Sequence, residues 1–130
     1  MKRFFYFLSV MAIAVTFAAC GGPSGDPKED ATAMIKEMGE AMANADDADD
    51  LADEICDIQV KYAKAYVDVE ENYRKLQDEL GERGSELRET LNDAIDANKK
   101  LTKKELQEAF SKGSEKAEDK ISRMLDEAQK

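Results

Sequence analysis

The chain has 130 residues, a net charge of -10, 37% charged residues and 42% hydrophobic residues. That length suits one domain. Fifteen of the hydrophobic residues lie in the first 19 positions, which carry no acid. Beyond Ala19, Leu, Ile, Val and Phe number 17 in 111 residues, under the ~20% at which a highly charged chain is suspected of disorder. A large core and a strand-rich fold are therefore excluded.

Lys2 and Arg3 open the chain, Phe4 to Phe17 is apolar except for Ser9 and Thr16, and Ala18-Ala19-Cys20 follows. This order is that of a secretory signal. The apolar run falls short of the ~20 residues that span a bilayer as a helix. Phe17-Ala18-Ala19-Cys20 resembles the lipobox of bacterial lipoproteins, with Phe17 in place of the usual Leu. The resemblance covers residues 1–20. It implies that 1–19 is a cleaved signal peptide and that Cys20 carries a diacylglycerol, often with an acylated amine. Several chains anchor a protein stably where one is marginal. Gly21, rather than Asp, follows the cysteine, which by the same resemblance implies the outer membrane over the inner one. Cys-Gly-Gly is similar to the start of small Bacteroidota lipoproteins. Lys28-Glu29-Asp30 resembles the surface-export signal of that group, but lies further from the cysteine. It reads more simply as charge in the first turn of a helix.

Residues 20–26 read as the lipidated cysteine and a flexible Gly/Pro/Ser tether, and 27–130 as an acidic helical domain. Asp26 and Pro27 open a helix with Glu29 placed for a capping box. Ala31, Met34, Ile35, Met38, Ala41, Met42 and Ala45 then recur at three- and four-residue spacing to about 45. The Asp-rich stretch 44–50 breaks it, because Asp and Asn compete with the helix backbone. The next helix is expected unbroken over about 50–80, on a stripe from Leu51 through Ile55, Ile58, Tyr62, Tyr66, Val69, Tyr73 and Leu76 to Leu80. Ala52, Cys56, Val60, Ala63 and Val67 form a second stripe, expected to lie against the first helix. Gly81 or Gly84 should cap this long helix, with Ser85 starting the next, whose Leu87, Leu91, Ala94, Ile95 and Asn98 would flank its second half. Thr102 and Glu105 form a capping box, with Leu101 and Leu106 as a hydrophobic staple. A last helix carries Leu106, Ala109, Phe110, Ala117 and Ile121, with a candidate kink at Gly113-Ser114. The expected fold is all-α: a small bundle of three to four helices around a long central one.

The chain has no histidine and no tryptophan. It thus lacks the usual near-neutral acid–base group and the commonest transition-metal ligand. Cys56 stands between acids on an apolar stripe, which fits a buried structural thiol. No carboxylate pair stands out from the abundance of acids. These features point to a protein that is not an enzyme and needs no cofactor. Asp46, Asp47, Asp49 and Asp50 are weak candidates for a metal site, since they lack the glycine and alternating ligands of an EF-hand loop. The segment 101–111 looks like an EF-hand entering helix, but the following loop has no Asp ladder. Residues 20–60 hold 2 basic and 12 acidic residues, a patch that repels nucleic acid. Lys99, Lys100, Lys103 and Lys104 cluster elsewhere and could dock a charged partner. Tyr62, Tyr66 and Tyr73 share the core stripe and would form a partner-binding patch only if left uncovered. The resulting expectation is a lipid-anchored cell-envelope protein. It would act as a helical interaction or structural module that binds a protein partner or itself. The alternative is a small-ligand or cation-binding lipoprotein using residues 46–54.

Overall fold

The computed structural model describes residues 23–128, so the signal segment and Cys20 lie outside the described residues. The fold is all-α, with five helices among the described residues: α1 Pro27–Asn44, α2 Ala48–Lys64, α3 Glu70–Glu82, α4 Gly84–Ala97 and α5 Lys103–Ala128. This corrects the expected bundle of three to four helices.

The extra helix arises because the expected helix over 50–80 is broken at 65–69. The chain tightens there, with the Tyr66 amide donating to the Ala63 carbonyl at 2.8 Å, and Val69 turns extended at φ -127°, ψ 108°. Val67 and Val69 are stiff at χ1, and Asp68 between them competes for backbone hydrogen bonds, so the local helical preference is weak. Packing decides the outcome. α1 and α2 run antiparallel, with Met38 beside Gln59, Glu37 beside Lys61 and Asp30 beside Tyr66. Tyr66 therefore lies level with the first turn of α1. A straight continuation would pass the end of α1 and leave Tyr73, Leu76 and Leu80 without cover. The elbow turns α3 back, so that buried Leu76 meets Ala31 and Tyr66, with Tyr73 and Leu80 packed around them.

The two stripes of α2 are both buried, but their partners differ from expectation. Leu51, Ile55, Ile58 and Tyr62 join Met34, Met38 and Met42 of α1 in the main core, together with Leu106 and Ala109 of α5. Cys56, Ala63 and Val67 pack on Ala117 and Ile121 of α5, not on the first helix. α5 is uninterrupted through Gly113. A Cβ at Gly113 would collide with the Ala52 carbonyl oxygen and stand 2.8 Å from Ile55 Cβ. That glycine thus serves a close helix crossing rather than a kink. The pairs Asp49–Lys112 and Asp53–Lys116 advance together along both helices, so α2 and α5 run parallel.

α4 lies on α1 rather than along the second half of a long helix. Gly39 is the point of close approach, where an added Cβ would stand 2.6 Å from Thr90 Cγ2. Arg83, between α3 and α4, is the joint, and no glycine there adopts positive φ. Ser85 lies inside α4 and does not cap it. The Thr102–Glu105 capping box forms as expected: Thr102 Oγ1 accepts from the Glu105 amide at 3.1 Å, and Glu105 Oε1 accepts from the Thr102 amide at 3.1 Å. The result is a bundle in which α5 packs chiefly on α2, while α1 carries α2, α3 and α4 around it.

Candidate interaction surfaces and the buried polar ties

Two polar residues are buried at opposite ends of α1, and each ties separate chain segments together. Asp30, 2% exposed, occupies the first turn of α1. Its Oδ1 accepts from the Ser24 amide at 2.7 Å and the Ser24 hydroxyl at 3.0 Å. Its Oδ2 accepts from the Gly25 amide at 3.0 Å and from the Tyr66 hydroxyl. A buried carboxylate is tolerable when its lone pairs are used in this way. Gly25 holds φ 91°, a left-handed conformation that suits glycine and turns the linker back onto the helix. Asp26 caps the helix as expected, accepting from the Lys28 amide at 3.1 Å. The stretch Ser24–Asp26 is thus fastened to the bundle.

Asn98, 8% exposed, makes the second tie. Its Nδ2 donates to the carbonyls of Met42 at 2.8 Å and Ala45 at 3.0 Å. Its Oδ1 accepts from the amides of Lys100 at 2.8 Å and Leu101 at 2.9 Å. One side chain therefore closes the α1–α2 turn and the α4–α5 turn together. Sequence reasoning reads Asp30 as charge in the first turn of a helix and sets Asn98 on the packing stripe of its helix, but gives neither a tying role. A place on that stripe fits the burial of Asn98, whereas Asp30 carries no such signal, its burial depending on where α2 ends beside α1.

The sequence-predicted residues fall as follows. Tyr62 and Tyr66 are buried, and Tyr73 is half-buried. The Tyr62 hydroxyl donates to Glu37, which also pairs with Lys61 at 2.6 Å. Burial first, then the hydrogen bond to a carboxylate, pushes the Tyr62 and Tyr66 phenols well above their ordinary range. Burial also raises Tyr73. The three do not form an open aromatic patch.

The four Asp candidates do not converge. Asp47 caps α2, accepting from the amides of Asp49 at 2.8 Å and Asp50 at 3.1 Å. Asp46 pairs with Lys100 at 2.6 Å, and Asp49 with Lys112 at 3.8 Å. Among the described residues no three His, Cys, Asp or Glu side chains are placed to hold a metal ion. Lys99 donates to the Asp96 carbonyl at 3.2 Å, so two of the four clustered lysines have partners within the fold. Lys103 and Lys104 are exposed. Cys56 is buried and unpaired, packed among Ala63, Val67, Ala117 and Ile121. A shallow depression at Gln107, Glu108, Ser111, Lys112 and Glu115 belongs to α5 alone, so no second element closes it. Burial, the largest influence, raises Glu40; Lys36 opposes it and Glu37 adds to it.

Fold and ties define a small all-helical domain built on the α1–α2 pair, with α5 on α2 and α3 and α4 on α1. Among the described residues no helix is long and apolar enough to cross a membrane. No protein family, no curated protein sequence and no solved structure matches the chain.

Proposed function

We propose that this chain is a lipid-anchored, non-enzymatic module of the cell envelope that binds another protein or a second copy of itself. The observation that carries this reading is Phe17-Ala18-Ala19-Cys20 behind a basic start and a short apolar run. The fold is consistent with it. The helical domain begins just after Gly25, and its aromatic and thiol groups are turned inward to packing. The acidic flank would keep such a domain away from nucleic acid and leave protein surfaces as its partners. The outer membrane is the expected site, from Gly21 after the cysteine. The cation-binding alternative has less support, because the carboxylates of Asp46, Asp47 and Asp49 face ion-pair partners or a helix cap rather than one another.

Palmitate labelling in growing cells tests the proposal. The wild-type protein takes up label and sediments with membranes, whereas Cys20→Ala does neither. Label retained by Cys20→Ala overturns the lipid reading.

A further inference from the structure

We propose that the elbow at Val69 is a hinge through which two copies of the chain exchange α3, α4 and α5, so that the second copy is held by a domain swap. This deepens the self-binding form of the proposed function and does not depend on lipid at Cys20.

The elbow divides the chain along its core. α5 packs chiefly on α2, and α3 and α4 chiefly on α1, whereas α3, α4 and α5 touch one another little. Each apolar cluster draws on both sides of the divide. Leu106 and Ala109 join Met42 and Leu51, Ala117 and Ile121 join Cys56 and Ala63, and Leu76 joins Ala31 and Tyr66. The hydrogen bonds from Asn98 to Met42 and Ala45 and the ion pair of Lys116 with Asp53 cross it as well. The α1–α2 pair of a second copy offers all of these partners unchanged. Exchange therefore keeps the core, and the conformation of the hinge decides how readily it occurs.

Locally the hinge favours a straight helix. Ala65 is right-handed at φ -72°, ψ -12°, and the Val67 amide still bonds the Ala63 carbonyl, four residues back, at 3.1 Å. Helical bonding resumes where the Tyr73 amide meets the Val69 carbonyl at 3.2 Å. Val69 between them is extended and stands at the N-cap of α3 with no side-chain cap bond. Valine is among the poorest N-caps. A swing in ψ at Val69 would restore helical partners to the amides and carbonyls at the break. Lys64 precedes Asp68 by four residues, Glu71 precedes Lys75 by four, and Arg74 already pairs with Glu70 at 3.6 Å, so the acids of the hinge have bases one turn away. The straight helix from Ala48 to Glu82 would span about 52 Å. It would carry Tyr73, Leu76 and Leu80 past their own α1 and onto that of the second copy. The two long helices would cross at the hinge, where each Val69, 50% exposed in the closed chain, gains cover from its mate.

The test uses zero-length cross-linking by carbodiimide, since Lys116 Nζ stands 3.0 Å from Asp53 Oδ1. Two full-length chains with different tags are co-expressed, one with Asp53→Asn and the other with Lys116→Gln. Both positions are exposed, so the bundle stays folded. Neither chain can form the link alone, and only Lys116 of the first can reach Asp53 of the second. Exchange predicts a covalent mixed dimer whose linked peptides pair Lys116 with Asp53, and the wild-type chain gives the same peptide pair as the check on the chemistry. Val69→Leu in both chains, a better helix former that keeps the apolar bulk, should raise the yield several-fold. Val69→Asn, a good N-cap, should lower it about tenfold. Mixed dimers linked only through other residues are closed copies side by side; they overturn the exchange and spare self-binding. No mixed dimer, with the link intact in the wild-type chain, overturns the exchange. A yield that neither Val69 variant moves overturns Val69 as the hinge. Chains that form the Lys116–Asp53 mixed link yet take up no palmitate support the exchange and overturn the lipid reading alone.

Discussion

Asn98, in the turn between α4 and α5, donates its side-chain amide to the main-chain carbonyl of Met42 at the end of α1, 2.8 Å away. The contact joins residues 56 positions apart. It satisfies one of the carbonyls that a helix C-terminus leaves without an internal partner. The same side chain serves the Ala45 carbonyl and two amides of its own turn, so all of its hydrogen-bonding capacity on these atoms is directed at backbone.

Asn98→Ala should therefore destabilise the fold by about 3 kcal/mol, since it strands buried donors and acceptors in both turns. Asn98→Asp separates the two halves of the tie. It keeps an acceptor for the Lys100 and Leu101 amides but sets a carboxylate against the Met42 and Ala45 carbonyls. Its carboxyl would be raised in the folded state, so its deficit should shrink as pH falls and the group becomes able to donate. Urea unfolding of both variants at neutral and mildly acidic pH checks this. A deficit in Asn98→Asp that does not change with pH would count against the donor role.

Glycines 113 and 81 should respond to alanine with opposite signs. Both are helical, so each substitution gains up to about 1 kcal/mol of helix propensity. Gly81 has open space where a Cβ would stand, and Gly81→Ala should be stabilising by nearly that amount. At Gly113 the Cβ would meet the Ala52 carbonyl and Ile55, neither of which can swing aside as a flexible side chain would. Overpacking of this kind costs about 1–3 kcal/mol, so Gly113→Ala should be net destabilising. Thermal unfolding of the two variants gives the comparison directly, and a higher Tm for Gly113→Ala would show that α2 and α5 are less tightly crossed.

Much of this arrangement is legible in the sequence where local chemistry fixes it. Asp26-Pro27 marks the start of α1, and Thr102 with Glu105 marks the start of α5, because caps act within a few residues. The double stripe correctly implies that α2 is covered on two sides. It does not say by what, since a small, apolar stripe fits any neighbour, and α5 rather than α1 takes the Cys56 side. The elbow at 65–69 is hidden for a different reason. Tyr62, Tyr66, Val69 and Tyr73 keep helical spacing straight through it, so periodicity alone reads one long helix. What breaks that helix is the length of α1, a tertiary fact. Asp30 is hidden likewise: in sequence it is an acid in a first turn, where acids are favoured anyway. Its burial follows only once Tyr66 and the linker converge on it.

Calcium should leave the domain's thermal stability unchanged. The carboxylates of Asp46, Asp47 and Asp49 sit in a helix cap and in ion pairs that spread them apart. Extracellular calcium modules bind at about 0.1–1 mM through six or more converging oxygens. A scan with calcium up to that range should show the same Tm as one with chelator. A rise of several degrees would mean that these acids gather around an ion when it is supplied.

Alkaline pH should unfold the domain through Tyr62 and Tyr66. Both phenols are raised in the folded state, mainly by burial and then by their bonds to Glu37 and Asp30. In the unfolded chain they titrate near ~10. Below that pH both states keep the proton and the full stability is present. Above it the unfolded state releases protons that the folded state holds, so stability falls as pH rises towards the folded values. Phenolate absorbance should consequently lag in the native protein and appear together with loss of helical circular dichroism. The Tyr62→Phe, Tyr66→Phe double variant forfeits two hydrogen bonds, so it should be less stable at neutral pH, by about 1–3 kcal/mol. Its stability should nevertheless decline less steeply above pH ~10, because these two linked protons are gone. An equally steep alkaline decline in the double variant would place the sensitivity in other groups, with Tyr73 the first to examine.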